Sequence, residues 1–541
     1  MTQSGRITFS HFADAFSDPT FWTDLQHSVL LALASGTAAA IIGVVIAWIV
    51  VHVRPPGSAV IDAFMLFSFF MSSFVAAVSY VLLANPSNGL VNLWVSKLLG
   101  HEVSAVNIES FWGIVFALTV AGVPFVYMLT AAALAGADPA LEEAAAMSGA
   151  RRWRRLRTIT FPLVLPGILT GVFFSLIFAL EAFVEPSILG APIEYDTITT
   201  RIYHTVISFP PAYGTASMLA VVLMVILLGL IFAQRRLLGE RSFTSFTGKT
   251  GSSVHVSAGY PRRARYLLML IPVAYILVAV GLPYYALVQI SLQPFVSPEI
   301  THLSLANYSA VFSDPRTLQS LRNALYACVI GIVVSVVWMF ILAYTLRTSR
   351  FAGSRIVAYV ATLPLAVPGI VIGVALLWTW LRSPVPIYGT LILVAVAYVV
   401  RFSPFVLNSI TAGMAQLDSS LEESARMSGA GAFRVVRDIV IPLIRPSLLS
   451  GAVMFALFSL RDVNTAVLLS GPDSTVFAVN NWNLWQSGEV PKLAAASVVQ
   501  SLILLVLYCF ARWAARGGAG RSAARRIDRR SAGFDQEVAT R

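Results

Sequence analysis

Two acidic segments recur in one frame, 280 residues apart, at 138 and at 418. The first reads Asp138-Pro-Ala-Leu-Glu-Glu-Ala-Ala-Ala-Met-Ser-Gly149-Ala, and the second Asp418-Ser-Ser-Leu-Glu-Glu-Ser-Ala-Arg-Met-Ser-Gly429-Ala. Each runs on through a basic stretch, to Ile159-Thr-Phe-Pro162 or to Ile439-Val-Ile-Pro442. An Asp ahead of the run is an N-cap, helped in the first copy by Pro139 at the first helical position. Glu142 and Glu143, or Glu422 and Glu423, then fall in the early turns, where the helix dipole favours acids. Gly149 and Gly429 end the helix or let another backbone approach. A short amphipathic helix of this kind suits docking into a groove on a partner. Its chemistry is recognition.

A second set of charges stands in apolar surroundings. Glu181 and Glu185 lie four residues apart and so share a helix face. At the 280 offset from Glu181 the chain has Arg461-Asp462, and Arg401 sits mid-way along another apolar stretch. Charges inside membrane spans are costly and usually face a bundle interior. These five are therefore candidate pathway or gate residues, with interhelical salt bridges such as Glu181–Arg461 as the plainer alternative. Carboxylates suit a hard cation, whereas Arg401 suits an anion. Arg201, Tyr203, His204, Asn481 and Trp482 read as outer-loop residues that contact a delivery protein or simply pack. The sequence contains no His, Cys and Asp cluster with metal-ligand spacing. The two cysteines, Cys328 and Cys509, are too far apart for a CxxC motif and read as packing residues. Thr247-Gly-Lys-Thr250 looks like the end of a phosphate-binding loop, but position 243 is Phe rather than Gly and no strand precedes it. A membrane enzyme is disfavoured, since no nucleophile–base pair is evident.

Composition sets the frame that must hold these residues. Of 541 residues 57% are hydrophobic and 12% charged, about half the charge of a soluble domain. Apolar runs at 29–52, 59–84, 111–135, 168–189, 217–233, 266–290, 325–346, 356–381, 388–410, 448–470 and 494–513 predict about eleven membrane helices. Bundled helices follow, because lipid offers no partner for an unpaired backbone group. The short alternating segments of a β-barrel are absent. The net charge of +11 does not indicate nucleic acid. Arg and Lys gather at 151–157, 235–265, 347–355, 426–445 and 512–530, and alternate threading puts all five on one side. By the positive-inside rule that side is cytoplasmic. The N-terminus is then expected outside and the C-terminus inside, with no signal peptide.

An internal repeat organises the chain. Ala15-Phe-Ser-Asp-Pro19 recurs as Val311-Phe-Ser-Asp-Pro315, an offset of 296, against 280 for the acidic segments. The first half thus carries 16 extra residues, expected in the outer loop 85–110. A span precedes the second Phe-Ser-Asp-Pro copy and none precedes the first in this sequence, so either the first half lacks its first helix or the start codon is placed too late. The eleven-span chain is the expectation. The predicted domains are a first transmembrane half at 1–234, a cytoplasmic linker at 235–265, a second half at 266–513 and a basic tail at 514–541.

The paired segments resemble the EAA loop of binding-protein-dependent ABC importers. Glu143-Ala144-Ala145 to Gly149 to Ile159-Thr-Phe-Pro162 matches its spacing, as does Glu423-Ser424-Ala425 to Gly429 to Ile439-Val-Ile-Pro442. Ser424 for Ala, and Phe161 or Ile441 for Leu, are mild departures. The resemblance implies the fused permease subunit of a type I importer: an all-α polytopic protein with two tandem helical halves. In this family the loops at 138–166 and 418–446 would carry coupling helices that dock into two copies of a separate ATPase. Glu142, Glu143, Ala144, Ala145, Gly149, Glu422, Glu423, Ala425 and Gly429 would be ATPase-coupling residues, and Gly149→Asp or Glu143→Lys would uncouple hydrolysis from uptake. The resemblance further implies a periplasmic or extracellular substrate-binding protein, a bacterial inner-membrane location, and no cofactor in this chain, ATP and Mg being held by the ATPase. Leu363-Pro-Leu-Ala-Val-Pro-Gly-Ile-Val-Ile-Gly373, Ile387-Tyr-Gly-Thr390 and Thr200-Arg-Ile-Tyr203 look most like ferric-iron permeases; relatives move thiamine, phosphonates, polyamines or sulfate. A secondary transporter built from repeats is the rival class, and it needs no docking loops.

Overall fold

In the computed structural model residues 10–510 are described, except 138, 239–260, 298–299, 301 and 350–352. Most of the expected linker 235–265 and all of the tail 514–541 fall outside the described residues. Helices dominate, and no strand occurs among the described residues. Among the described residues nine helices are long and apolar enough to cross a membrane, or up to eleven if each of two bent pairs is one span.

The bent pairs correct the expectation of continuous helices at 59–84 and 356–381. Ser58–Phe70 and Ser73–Ala84 meet at 100°, and Ile356–Ala366 and Gly369–Leu381 at 105°. Ser58 and Ser73 correspond to Ser354 and Gly369 at the 296 offset, so the repeat places both breaks alike. In the first, Met71 and Ser72 are extended (ψ 139° and 129°). In the second, Pro364 and Pro368 supply no N–H to continue the ladder. Two further runs end early. Helix Phe161–Glu181 stops because Pro186 has no N–H for the Ala182 carbonyl, which accepts instead from Thr199 Oγ1 at 2.6 Å. Helix Ile441–Ser459 stops just before Arg461-Asp462.

The proline of each acidic segment has a local effect as well. Pro162 and Pro442 cannot donate into their helices, and directly ahead of them lie five-residue π-turns, Leu156–Thr160 and Val436–Val440. In each, the next N–H, of Phe161 or Ile441, reaches the carbonyl five residues back. Such wide turns mark functional kinks more often than regular helix does. Close helix crossings repeat too. A Cβ on Gly171 would lie 2.8 Å from Val126 Cα, and one on Gly451 3.1 Å from Val406 Cα. Small residues let membrane helices approach this closely.

The chain divides into two compact units that do not follow the repeat. One comprises Met1–Ala327, Leu365–Ala397 and Arg461–Ser501; the other comprises Cys328–Pro364, Tyr398–Leu460 and Leu502–Arg541. In the first unit Tyr275, from a span of the second half, donates to the Val120 carbonyl at 2.8 Å and sits 3.2 Å from Ser68 Oγ. The expected extra residues of loop 85–110 include a ten-residue helix, Leu90–Leu99.

Candidate functional site

The acidic segments form the two helices their sequences call for. Pro139–Met147 and Ser419–Met427 are both nine residues long. Asp418 caps the second, its carboxylate accepting from Ser420 N at 3.0 Å. Hydrogen bonds with Ser420 hold that exposed carboxyl below the usual carboxylate range. Asp138 and the side chains of Glu142 and Glu143 lie outside the described residues. Both helices end in a left-handed glycine, Gly149 at φ +78° and Gly429 at φ +81°. Ala430 N reaches Ala425 O at 3.0 Å and Gly429 N reaches Arg426 O at 2.9 Å, which is a Schellman cap. Ala150 N to Ala145 O, also 3.0 Å, repeats the outer bond in the first copy. So the second alanine of each motif supplies the capping carbonyl. Ala144 is exposed, and so is the corresponding Ser424.

The two glutamates of the second copy face opposite ways. Glu423 is exposed, whereas Glu422 is buried, its Oε1 2.9 Å from Arg347 Nη1 and its Oε2 3.5 Å from Tyr344 Oη. Glu422 therefore pins its helix to the end of the long helix Pro315–Thr348. At the 296 offset Arg347 corresponds to Val51, so the first copy lacks that arginine. Both copies also offer large apolar side chains outward. Leu141, Met147 and Trp153 are exposed, as are Leu421, Met427 and Phe433, each pair 280 apart. The two methionines are 88% and 89% exposed. Reading charges alone misses these triads, although the 280 offset, applied to every residue, would have found them.

The break in the first unit gathers a second group. Arg461 Nη1 donates to the carbonyls of Phe69 at 2.7 Å and Met71 at 2.9 Å, which the bend has freed from helix bonding. Arg461 thereby takes the place of the missing backbone donors. A small cavity beside it is lined by Phe69, Met71, Ser73, Tyr80, Phe125 and Arg461. Glu185, only 3% exposed, interacts with the Ser73 side chain and with the Arg461 charge, and its Oε1 has no hydrogen-bond partner. The Ser72 hydroxyl is also buried without a partner. Asp462 accepts from Thr465 N at 3.1 Å and so closes the turn after Arg461. Glu181 is the last residue of its helix, not an interior one. Arg401, in the other unit, stands within Leu391–Met414 with its guanidinium 5.6 Å from the Phe402 ring.

Of the two readings of Tyr203, Asn481 and Trp482, burial fits packing, on short helices rather than loops. These residues lie on helices Ile198–Ile207 and Phe477–Gln486 and are buried. Trp482 Nε1 is 3.3 Å from Tyr203 Oη, and Phe183 packs on both rings. They form a packed core and offer no docking surface. Arg201 is engaged too, with Asp18 at 2.9 Å and Asp24 at 3.0 Å. His204 remains exposed. Among the described residues no group of three or more His, Cys, Asp or Glu is placed to hold a metal ion.

The family described as "Binding-protein-dependent transport system inner membrane component" matches residues 39–236 and again 331–517. The chain belongs to this family. Each match contains one acidic segment, so these inner-membrane components are present here as a tandem pair. The chain is 27% identical over 411 residues to the "Ferric transport system permease protein FbpB" of Actinobacillus pleuropneumoniae, an alignment covering 74% of this chain and 58% of that protein. It is also 27% identical over 411 residues to the "Putative ferric transport system permease protein FbpB 1" of Haemophilus influenzae, covering 75% and 63%. The chain thus spans less than two thirds of the length of these two relatives. It is 28% identical over 215 residues to the "Molybdate/tungstate transport system permease protein WtpB" of Pyrococcus furiosus, covering 39% of this chain and 82% of that one.

Proposed function

We propose that this chain is the membrane permease of an ATP-driven importer, with both halves of the translocation path on one polypeptide. The observation that carries the reading is the pair of capped helices with matching exposed apolar triads, one in each family repeat. Large apolar side chains turned to solvent beside a capped helix end are what a docking surface needs. The docked partner in this reading is an ATPase, one copy per helix, which holds the ATP and Mg. The chain itself then has no catalytic role. Its basic connections lie in the cytoplasm, its N-terminus outside and its C-terminus inside. A delivery protein brings cargo to the outer side. In the path, Arg461, Glu185 and the freed carbonyls of the first break act as a gate.

The cargo is ferric iron on this reading, supported by the names of the two relatives aligned over most of the chain. A second reading, an oxyanion, is favoured by the guanidinium of Arg461 lining the cavity at the break. Both are tested in proteoliposomes that hold the chain, its ATPase and its delivery protein, by uptake of radiolabelled iron and of molybdate. Iron uptake that needs internal ATP supports the first reading, and molybdate uptake alone would replace it with the second. In the same assay Gly149→Val and Gly429→Val place β-branched residues at φ near +80°, where they are strained. Uptake should fall at least about tenfold while the ATPase still binds. Unchanged uptake would remove these caps from the mechanism.

A further inference from the structure

The helix Leu90–Leu99 lies in the segment by which the first half exceeds the second, and its amphipathic arc is turned the wrong way for a protein surface in water. Val91, Trp94, Val95, Leu98 and Leu99 follow the i, i+3, i+4, i+7, i+8 pattern of one helical face. That face is outermost: Leu98 is 85% exposed, Leu99 and Trp94 are exposed, and Val91 and Val95 are half-buried.

The polar side is the one fastened down. Asn92, buried, donates from Nδ2 to the carbonyls of Asn85 at 2.9 Å and Val106 at 2.7 Å, and accepts from Val106 N at 2.8 Å. Ser96 exchanges two hydrogen bonds with the backbone of Val103. The helix therefore cannot roll to hide its apolar arc without breaking five hydrogen bonds.

The arc also continues a lipid-facing surface. Trp94 packs on Tyr285, ring centroids 5.7 Å apart, and Tyr285 and Val288 are exposed on the apolar span Arg262–Ser291, close to its end. Trp and Tyr collect at the headgroup level of a membrane, where a ring sits in apolar surroundings and its polar atom reaches water. We infer that Leu90–Leu99 is an interfacial helix, lying in the plane of the membrane surface where the Arg262–Ser291 span ends, with Trp94, Leu98 and Leu99 inserted among lipid chains. Its anchoring then fixes the outer arm of the first break, because Asn85, which follows Ser73–Ala84 directly, is tied to Asn92.

The test is spin-label accessibility in the full-length chain in liposomes, after Cys328→Ser and Cys509→Ser. Labels at Leu98→Cys and Leu99→Cys are compared with Val288→Cys as lipid reference and Asn88→Cys as water reference. The inference predicts that oxygen relaxes the labels at 98 and 99 several-fold better than a water-soluble nickel chelate does, as at 288. A preference for nickel, as at 88, overturns it. So does protection from both reagents. A nickel preference that disappears only when the delivery protein is added overturns it in favour of a protein contact.

Discussion

On the Ser419–Met427 helix, Glu422 turns back to Arg347 at 2.9 Å while Glu423 remains in solvent. Their identical chemistry is split by one step of helical rotation. Removing one partner of a buried pair strands the other, at a cost of about 3–5 kcal/mol in a full interior. Here the side chains of Arg347 and Glu422 are 22% and 10% exposed, so water relieves part of that, and about 1–3 kcal/mol is the fitting scale. Glu422→Ala should therefore speed amide hydrogen exchange across 419–427, whereas Glu423→Ala should leave it unchanged. Equal effects of the two would contradict the assignment of Glu422 as an anchor. The sequence makes both glutamates visible but not their opposite directions, because Arg347 lies far away in the chain and only folding brings it near.

Among the elements, the two Phe-Ser-Asp-Pro copies perform one task with different partners. Each Asp stands at the start of a long helix, and each meets a cation from later in its half: Arg201 for Asp18, Lys492 for Asp314. Burial pushes the Asp314 carboxyl up, but Lys492 at 2.9 Å, Thr317 and the Arg316 N–H outweigh it, and its pKa lies below the usual carboxylate value. A lowered folded pKa gives stability that is present above the unfolded value, near 3.9. That stability is lost as pH falls through the lower folded one. Wild type should thus exceed Asp314→Asn in thermal stability at pH 6, and the difference should close as pH drops below about 4. A gap independent of pH would mean the carboxylate is not charged in this pair. The first break makes a second element-scale prediction. Arg461→Met strands the carbonyls of Phe69 and Met71, and should depress uptake well below that of Arg461→Lys while leaving ATPase binding intact. Full activity in Arg461→Met would dismiss it as a gate residue. Hydropathy runs straight through Met71-Ser72 and through 363–368 alike, which is why neither break was legible, although Pro364 and Pro368 carry a signal for the second that hydropathy alone passes over.

For the whole molecule, the repeat was the most legible feature. The 280 offset paired the two capped helices, and the difference between the 296 and 280 offsets pointed to the longer loop 85–110. The breaks and the π-turns ahead of Pro162 and Pro442 recur at the same offsets but came only with the structure. What the offsets could not convey is long-range packing, such as Tyr203 against Trp482, because such contacts obey side-chain shape more than periodicity. The division into compact units was likewise not legible, since it cuts across the repeat. The central claim is that two docking helices on one chain recruit two ATPase subunits. Native mass spectrometry of the complex purified from membranes in mild detergent tests it most directly. The predicted mass is one copy of this chain with two copies of an ATPase, reduced to free chain when Met147→Asp and Met427→Asp are combined. A chain found alone or only self-associated, in repeated preparations, would contradict the account.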